Sequence, residues 1–280
     1  MCLTTGMMSK ALEQGVSDLE LCIYMPLMYE PPRLLPDTVF INNTLVKLTL
    51  GTELCLGRSP WENVDLPLLK SLFLHTVWFS NHAICDVMMD GCPQLEELYI
   101  HHIYIEEARL DLAFARAGRW GDEHDTCLKI MNSITNVQIL YLSCFTVEVM
   151  YECLDLDEIP LFKNLATLHF EGNKKEYWQL LCNMIEKSPK LETLVLEGLC
   201  GISDCGVGID GGNMVKVVEI QEYKGRLEEL NQVKCFLREM ENLEEMKVNT
   251  SDEIENKLQL TNDLLALLPK RSSKCNIHVL

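Results

Sequence analysis

Nine copies of a six-residue pattern, apolar-x-x-apolar-x-apolar, recur along the 280-residue chain. The copies begin at Val16, Leu45, Leu69, Leu95, Val137, Leu165, Leu191, Val215 and Leu243. Successive copies begin 24 to 29 residues apart, with a single interval of 42 residues. Alternation of the last two apolar positions is typical of a strand with one buried face, so each copy predicts one short strand.

A period of about 20 to 29 residues is typical of leucine-rich repeats, in which each unit gives one strand and one return segment. A single unit cannot bury its own apolar face, so stacked units must form the core together. We therefore predict an α/β leucine-rich-repeat solenoid, with a curved parallel sheet and helical or irregular returns. Residues 175–185 have the clearest helical spacing, since Trp178, Leu181 and Ile185 share one face.

The 42-residue interval contains an insertion at about residues 101–136. Within it Leu110, Leu112 and Phe114 alternate as the residues of an edge strand do, and a polar, turn-forming stretch follows at residues 118–125. We interpret this segment as a tenth repeat with a degenerate strand, followed by an exposed loop.

The chain changes character after about residue 200. Residues 201–212 contain five glycines and predict a mobile connector. The spacing beyond it predicts a strand, a helix, a strand, a second helix and a last strand, at residues 215–220, 227–240, 243–248, 254–268 and 276–280. For the first of these helices we expect a buried stripe and an outer polar face, formed respectively by Leu227, Leu230, Val233, Leu237 and Met240, and by Glu228, Glu229, Lys234, Arg238 and Glu239.

One residue of each predicted strand lies between the last two apolar positions and points to the opposite, concave face of the sheet. In four consecutive copies of the pattern this residue carries a ring: Phe73, Tyr99, Tyr141 and His169. Exposed aromatic clusters anchor many protein interfaces, so we interpret these four residues as a partner-binding stripe. The alternative is a cross-strand ladder that only stabilises adjacent strands.

The overall charge and the cysteine usage restrict the class of protein. Forty-two acidic and 24 basic residues give a net charge of −18, which repels phosphate backbones and argues against nucleic-acid binding. No apolar run is long enough for a membrane span, and the first residues lack a secretory signal. The thirteen cysteines are scattered without a C-x-x-C pair. We therefore expect an intracellular protein of the cytoplasm, the nucleus or both.

Motifs that carry catalytic or metal chemistry are missing from the sequence. His101 and His102 are adjacent on a predicted strand and so point to opposite faces, which prevents them from chelating one ion together. The sequence contains no G-x-S-x-G, H-E-x-x-H or P-loop motif. We expect no catalytic residue, no metal site and no cofactor, and we predict that the protein is not an enzyme.

Several segments resemble one family of plant proteins. Residues 217–225 (VVEIQEYKG) and 264–277 (LLALLPKRSSKCNI) resemble the FBD domain, while residues 34–40 (LLPDTVF) and 91–98 (GCPQLEEL) resemble the leucine-rich region of the same proteins. The chain is thus similar to plant F-box/LRR-repeat/FBD proteins. The resemblance implies leucine-rich repeats over residues 1–200, a connector at 201–212 and an FBD domain of α+β type at 213–280.

The resemblance also implies a function. Members of the family are similar to substrate receptors of cullin-based, SCF-type ubiquitin ligases, in which an N-terminal F-box docks on a Skp-type adaptor and the repeats bind a protein target. The fifteen residues before the first repeat do not resemble an F-box. We therefore expect an unknown protein target as the partner, and the Skp-type adaptor and cullin only if an F-box is supplied elsewhere. The alternative is a ligase-independent scaffold or decoy.

Overall fold

A computed structural model describes residues 5–22, 35, 37–56, 64–79, 87, 90–105, 127–128, 131–132, 134–172, 174–202, 209, 212–250, 257–266 and 275–280. The chain divides into two compact units, Met1–Val137 and Gln138–Leu280. None of the helices in these ranges combines the length and the apolar character that a membrane span requires.

The described residues of the first unit include a helix near its start, followed by parallel strands that are adjacent in chain order. They are α1 (Thr5–Glu13), β1 (Asp18–Cys22), β2 (Lys47–Leu56), β3 (Ser71–Phe79) and β4 (Glu97–Ile105), with a 3-10 turn at Asp37–Val39. The third apolar position of each repeat is in register with that of the next, since Leu21 pairs with Leu50 and Leu50 with Leu74. The sheet of this unit is therefore the predicted parallel one.

The second unit has six parallel strands, again adjacent in chain order. The strands are β5 (Ile139–Leu142), β6 (Thr167–Phe170), β7 (Thr193–Glu197), β8 (Val217–Tyr223), β9 (Glu245–Thr250) and β10 (Asn276–Val279). The returns carry α2 (Cys144–Cys153), α3 (Trp178–Glu186), α4 (Leu227–Glu239) and α5 (Lys257–Leu265), with 3-10 turns at Leu156–Glu158 and Lys175–Tyr177.

The prediction that each of the nine copies of the pattern forms one strand is confirmed. Each of the strands β1 to β9 begins two residues after the first apolar position of its copy. The second and third positions form the core of both units; Leu48, Leu72, Leu140, Leu168, Leu194, Val218 and Met246, for example, are fully buried. Side chains at alternate positions of a strand point to opposite faces, so this burial leaves the intervening residue on the outer face.

A repeated hydrogen-bond motif joins most successive strands just before their ladder begins; before β9 and β10 the Glu244 carbonyl accepts from the Asn276 amide alone. The Val46 carbonyl accepts from the backbone amides of Lys70 (2.8 Å) and Ser71 (3.1 Å). The same double acceptance recurs at the carbonyls of Ser17, Lys70, Gln138, Ala166, Glu192 and Lys216. Two amides on one carbonyl leave no room for a one-residue slip, so the motif fixes the register of the strands that follow.

The sequence predicted some, but not all, of the described helices in the return segments. The helix predicted at residues 175–185 is confirmed, with Trp178, Leu181 and Ile185 buried. Its Trp178 ring lies 5.6 Å from the Phe236 ring of α4, so successive returns pack on each other. The helices α1 and α2 were not predicted from the apolar spacing of residues 5–13 and 144–153.

The predicted faces of α4 are correct in part. Val233 and Met240 of the predicted stripe are buried and Leu230 and Leu237 are half-buried, but Leu227 is 66% exposed. Glu229, predicted on the outer face, is only 5% exposed. Its Oε2 accepts hydrogen bonds from the backbone amides of Lys224 (3.0 Å) and Arg226 (3.1 Å). Capping the helix start turns this carboxylate inward, so the apolar spacing is misleading only in the first turn of the helix.

The strands after residue 213 continue the sheet of the second unit. Leu196 of β7 pairs with Ile220 of β8, so the strands before and after the glycine-rich segment are neighbours in one sheet. Residues 203–208, 210 and 211 of that segment lie outside the described ranges. Strands β8, β9 and β10 are parallel and alternate with helices, so this segment is α/β, and the predicted α+β class is wrong for it. Helical crossovers return the chain to the same end of the sheet, which makes each new strand parallel. The predicted domain boundaries at 200 and 213 stay predictions.

The start of the predicted insertion also needs a correction. Strand β4 extends from Glu97 to Ile105, so residues 101–105, including the two adjacent histidines, are strand. They pair with β3, as Val77 pairs with Ile103. The degenerate strand proposed at Leu110, Leu112 and Phe114 lies outside the described residues.

The cap at Glu229 gives a stability prediction. We expect Glu229→Ala to lower the free energy of unfolding by about 1–3 kcal/mol, because two backbone amides lose their acceptor inside the fold. Urea denaturation followed by circular dichroism measures this loss. Glu228→Ala, at the exposed neighbouring position, is the matched control and should change stability by less than about 0.5 kcal/mol. Equal effects of the two substitutions would contradict the assignment of the cap.

A second stability prediction concerns Gly91, where two returns of the first unit approach closely. A Cβ atom at Gly91 would lie 2.4 Å from the Val64 carbonyl oxygen, and the Gly91 carbonyl accepts from the Leu66 amide at 2.9 Å. We expect Gly91→Ala to cost about 1–3 kcal/mol, because the backbone must shift to admit a methyl group. Thermal unfolding measures the cost. Gln94→Ala, at an exposed position in the same turn, should leave the melting temperature nearly unchanged.

Candidate partner-binding surface

The residues between the last two apolar positions form one in-register row in each unit. In the first unit Glu20 pairs with Thr49, Thr49 with Phe73, and Phe73 with Tyr99. In the second unit the row runs through Tyr141, His169, Val195, Glu219, Lys247 and His278. Because the strands are parallel and in register, side chains of neighbouring strands in a row stand about 5 Å apart.

The aromatic residues of the first unit form a compact group. The Phe73 and Tyr99 rings stack with centroids 6.0 Å apart and an interplanar angle of 28°. The His75 ring lies 4.8 Å from the Tyr99 ring, and the Lys47 Nζ stands 5.1 Å from the centre of the Phe73 ring. Phe73, His75 and Tyr99 are all half-buried, so part of each ring remains accessible on the outer face.

The second unit contains a tighter pair. The Tyr141 and His169 rings stack with centroids 3.9 Å apart and planes inclined by 19°. Both side chains are half-buried. A tyrosine stacked on a histidine offers a flat surface with a phenol hydroxyl and ring nitrogens, which suits both apolar and cationic groups.

The structure therefore brings the four predicted residues together as two pairs, Phe73 with Tyr99 and Tyr141 with His169. Each pair belongs to a different unit. Not every residue of the rows is accessible, since Thr49 is 9% and Val195 is 7% exposed. The ring contacts are also those that the alternative, a stabilising cross-strand ladder, requires. The binding role stays a prediction.

Four carboxylates lie beside the Tyr141–His169 pair, and we call Glu171, Glu197, Glu219 and Glu222 the acidic patch. Glu171, Glu197 and Glu222 are exposed and Glu219 is half-buried. Although Glu197 is exposed, neighbouring groups shield its carboxyl partly from water, which raises its pKa, and the negative charges of Glu171, Glu222 and Glu219 raise the pKa further. Each of these three carboxylates therefore lies within electrostatic reach of Glu197.

The acidic patch is held by defined contacts. The Gln221 Nε2 donates to the Glu219 Oε1 at 2.7 Å, and the Asn249 Nδ2 donates to the Gln221 Oε1 at 2.7 Å. The Cys144 amide at the start of α2 donates to the Glu171 Oε2 at 3.0 Å. These bonds use only part of the accepting capacity of the carboxylates, since an ionised carboxylate offers about four lone-pair sites.

Glu222 reaches the patch through a break in the ladder. Ile220 pairs with Val248 and Tyr223 with Thr250, so β8 carries one more residue than β9 over this stretch. Glu222 lies in this bulge and has φ 51°, which is unusual for a residue with a side chain. A bulge changes the direction of the side chains that it carries, and here it brings Glu222 within electrostatic reach of Glu197.

The described thiols do not form a reactive site. Burial raises the pKa of Cys92, of Cys182 and of Cys200 to about 12, which leaves each thiol protonated at neutral pH. The Cys200 thiol donates instead to the Gly172 carbonyl at 3.1 Å. Within the described ranges no group of three or more potential ligands could hold a metal ion. The absence of enzymatic activity stays a prediction.

The sequence analysis identified the aromatic rows but missed the acidic patch. Glu171 and Glu197 directly follow the third apolar position of their copies, so they could have been found by extending the pattern by one residue. Glu222 lacks such a signal, because the bulge that orients it leaves no mark on the apolar spacing.

Comparisons with known proteins agree with the repeat fold. Residues 5–116 match the family model described as the LRR repeats of the FBD-associated F-box protein At5g56370. The Arabidopsis thaliana protein At5g40050, which bears the name of an F-box protein, is 70% identical over an alignment of 320 positions that covers 100% of this chain and 72% of the relative.

Two further Arabidopsis thaliana relatives bear the name F-box/LRR-repeat protein. At5g25860 is 36% identical across 96% of this chain and 73% of its own length, and At3g60040 is 32% identical across 97% of this chain and 72% of its own length. Both similarities extend over nearly the whole chain, including the strands of both units. The chain therefore belongs to the family of plant F-box/LRR-repeat proteins.

Proposed function

We propose that the chain recognises a protein target through the outer face of its repeat sheet, as the substrate-receptor part of an SCF-type ubiquitin ligase. The observation that carries the proposal is the in-register stacking of Phe73 on Tyr99, with part of each ring accessible on the outer face. Tyrosine and other aromatic residues are enriched among the residues that dominate binding energy at interfaces.

The position of these rings on strands favours recognition over a purely structural role. Their backbones are fixed by the parallel ladder, so a partner does not have to order them on binding, which lowers the entropic cost of association. Lys47 and His75 at the border of the pair add polar groups around an apolar centre, and this arrangement is common in protein interfaces.

The architecture proposed for the whole chain is a leucine-rich-repeat solenoid over residues 1–200, a connector at 201–212 and an FBD-type cap at 213–280. Its support is the common geometry of the two units: parallel strands, a double-acceptor carbonyl before most of the ladders, and a return between strands. In a solenoid the last repeat needs a cover for its open end, and the segment after residue 213 takes that place in the chain.

The proposed partners follow from the names of the relatives. An F-box protein delivers its target through a Skp-type adaptor and a cullin, so these two proteins are the proposed ligase partners when an F-box is present. A ligase-independent scaffold or decoy would bind the same target surface and recover neither of them.

The function predicts the effect of removing the aromatic pair of the first unit. We expect Phe73→Ser combined with Tyr99→Ser to reduce target recovery by about tenfold or more, because two interface anchors are lost. Affinity purification of the tagged chain from plant cells, with quantitative mass spectrometry, measures the recovery. Circular dichroism must show that the variant remains folded.

A matched control removes two exposed apolar side chains from the returns. Tyr151 is 39% exposed on α2 and Leu161 is 48% exposed before β6, so Tyr151→Ser with Leu161→Ser should leave recovery nearly unchanged. Equal recovery by the Phe73/Tyr99 variant and the unaltered chain would refute recognition through this face. Co-purification of the Skp-type adaptor and the cullin supports the ligase role, whereas a target recovered without them supports the scaffold.

A further inference from the structure

We propose that the outer sheet face of the second unit binds a basic, extended peptide segment, with lysine or arginine side chains on the acidic patch and a neighbouring side chain against Tyr141 and His169. The inference rests on the proposed function, because it names the chemistry of the segment that a target presents. It concerns a different unit from the Phe73–Tyr99 pair, so the two can fail separately.

The geometry of the patch suits a chain that crosses several strands. Phe170 pairs with Leu196, so Glu171, which directly follows β6, and Glu197 of β7 continue two strands that are about 5 Å apart. Val195 pairs with Glu219, which continues the carboxylates onto β8. Alternate side chains of an extended peptide are about 7 Å apart, so basic residues at alternate positions can each reach a different carboxylate.

The charges around the patch favour a cationic occupant. Three lysines near its strands form ion pairs with carboxylates outside the patch: Lys174 with Glu148, Lys216 with Glu192 at 2.8 Å, and Lys247 with Glu245 at 3.8 Å. Lys224, directly after β8, is exposed. The patch therefore concentrates negative charge on a sheet face in a chain whose net charge is already −18. Opposite charge on a partner would relieve the mutual repulsion of Glu197 and its three neighbours and would steer the partner to this face.

The aromatic pair beside the patch favours a peptide over a metal ion as the occupant. The stacked rings of Tyr141 and His169 lie in the same row as Val195 and Glu219, so one peptide can contact an apolar and an acidic surface together. Guanidinium groups also stack on tyrosine, which adds a cation–π contribution. A metal ion would use only the carboxylates, and the described residues contain no group of ligands suited to one.

The test uses the full 280-residue chain and a defined probe. A fluorescein-labelled octapeptide of alternating arginine and leucine is titrated with the protein by fluorescence anisotropy at about 0.1 M salt, where distant surface charges are largely screened. The same peptide with glutamate in place of arginine is the negative probe. We expect saturable binding of the basic peptide and none of the acidic one.

A pair of variants locates the binding. Glu197→Gln with Glu219→Gln should weaken the basic peptide about three- to tenfold, because two close ion pairs are lost while the shape and the hydrogen bond from Gln221 are kept. The control, Glu186→Gln with Glu241→Gln, removes the same charge from exposed positions outside the strands and should change the affinity by less than about twofold.

Each other outcome overturns the inference. Absence of binding, or equal binding of the acidic peptide, excludes a basic occupant. Equal weakening by the two double variants attributes binding to net charge alone. Displacement of the peptide by calcium at about millimolar concentration, when the patch variant does not bind calcium, makes the patch a cation site.

The proposed function is judged independently. If the basic peptide fails to bind but the plant-cell target is still recovered, the inference is wrong and the proposed function stands. If the peptide binds at the patch while the Phe73/Tyr99 variant recovers the target unchanged, the peptide site stands and recognition through the first unit is wrong.

Discussion

The double hydrogen bond that precedes seven of the strand pairings is the constraint on which the rest of the structure depends. One carbonyl, such as that of Ala166, accepts from two successive amides of the next repeat, Glu192 at 2.9 Å and Thr193 at 3.0 Å. A slip of one residue would break both bonds and also turn the buried leucines outward. The register is therefore fixed twice, by the hydrogen bonds of the backbone amides and by the burial of the apolar side chains. In every described repeat that has the motif, the same register meets both requirements. In-register rows of outer residues follow from that agreement.

The sequence predicted the strands well because their cause is local and periodic. Leucine or valine at fixed offsets creates a face that only stacking can bury, and each of β1 to β9 begins two residues after the first apolar position of its copy. Prediction failed where a polar requirement outweighs apolar spacing. At α4 the amides of Lys224 and Arg226 need an acceptor, and Glu229 supplies it from inside the fold. A buried carboxylate contradicts the simple rule of apolar inside and charged outside, so the apolar spacing alone misplaces Leu227 and Glu229 in the first turn of α4.

For the candidate surface, too, the apolar spacing predicts some features and not others. The pairings of Phe73 with Tyr99 and of Tyr141 with His169 were predictable, because equal positions in consecutive repeats become neighbours. The acidic patch depends on an irregularity: the extra residue in β8 that carries Glu222 toward Glu197. Bulges and positive φ values arise from the balance between two strands and have no periodic signature. Sequence periodicity thus predicts the regular part of the face, and the structure is needed for the part that departs from it.

The ionised form of Glu197, within the acidic patch, is unfavourable for folding. Burial and three neighbouring negative charges raise the pKa of Glu197 above its ordinary value, so the folded chain holds the proton more readily than the unfolded chain does. Stability from this group therefore falls as the pH rises through the interval between the two pKa values, and the full cost is present at neutral pH. The parallel ladder and the buried leucines do not require these carboxylates, because glutamine would keep the same bonds to Gln221 without the repulsion. The register of the strands holds this face rigid, so the carboxylates cannot move apart to relieve their repulsion of Glu197. A partner of opposite charge would relieve that repulsion and gain binding energy from it.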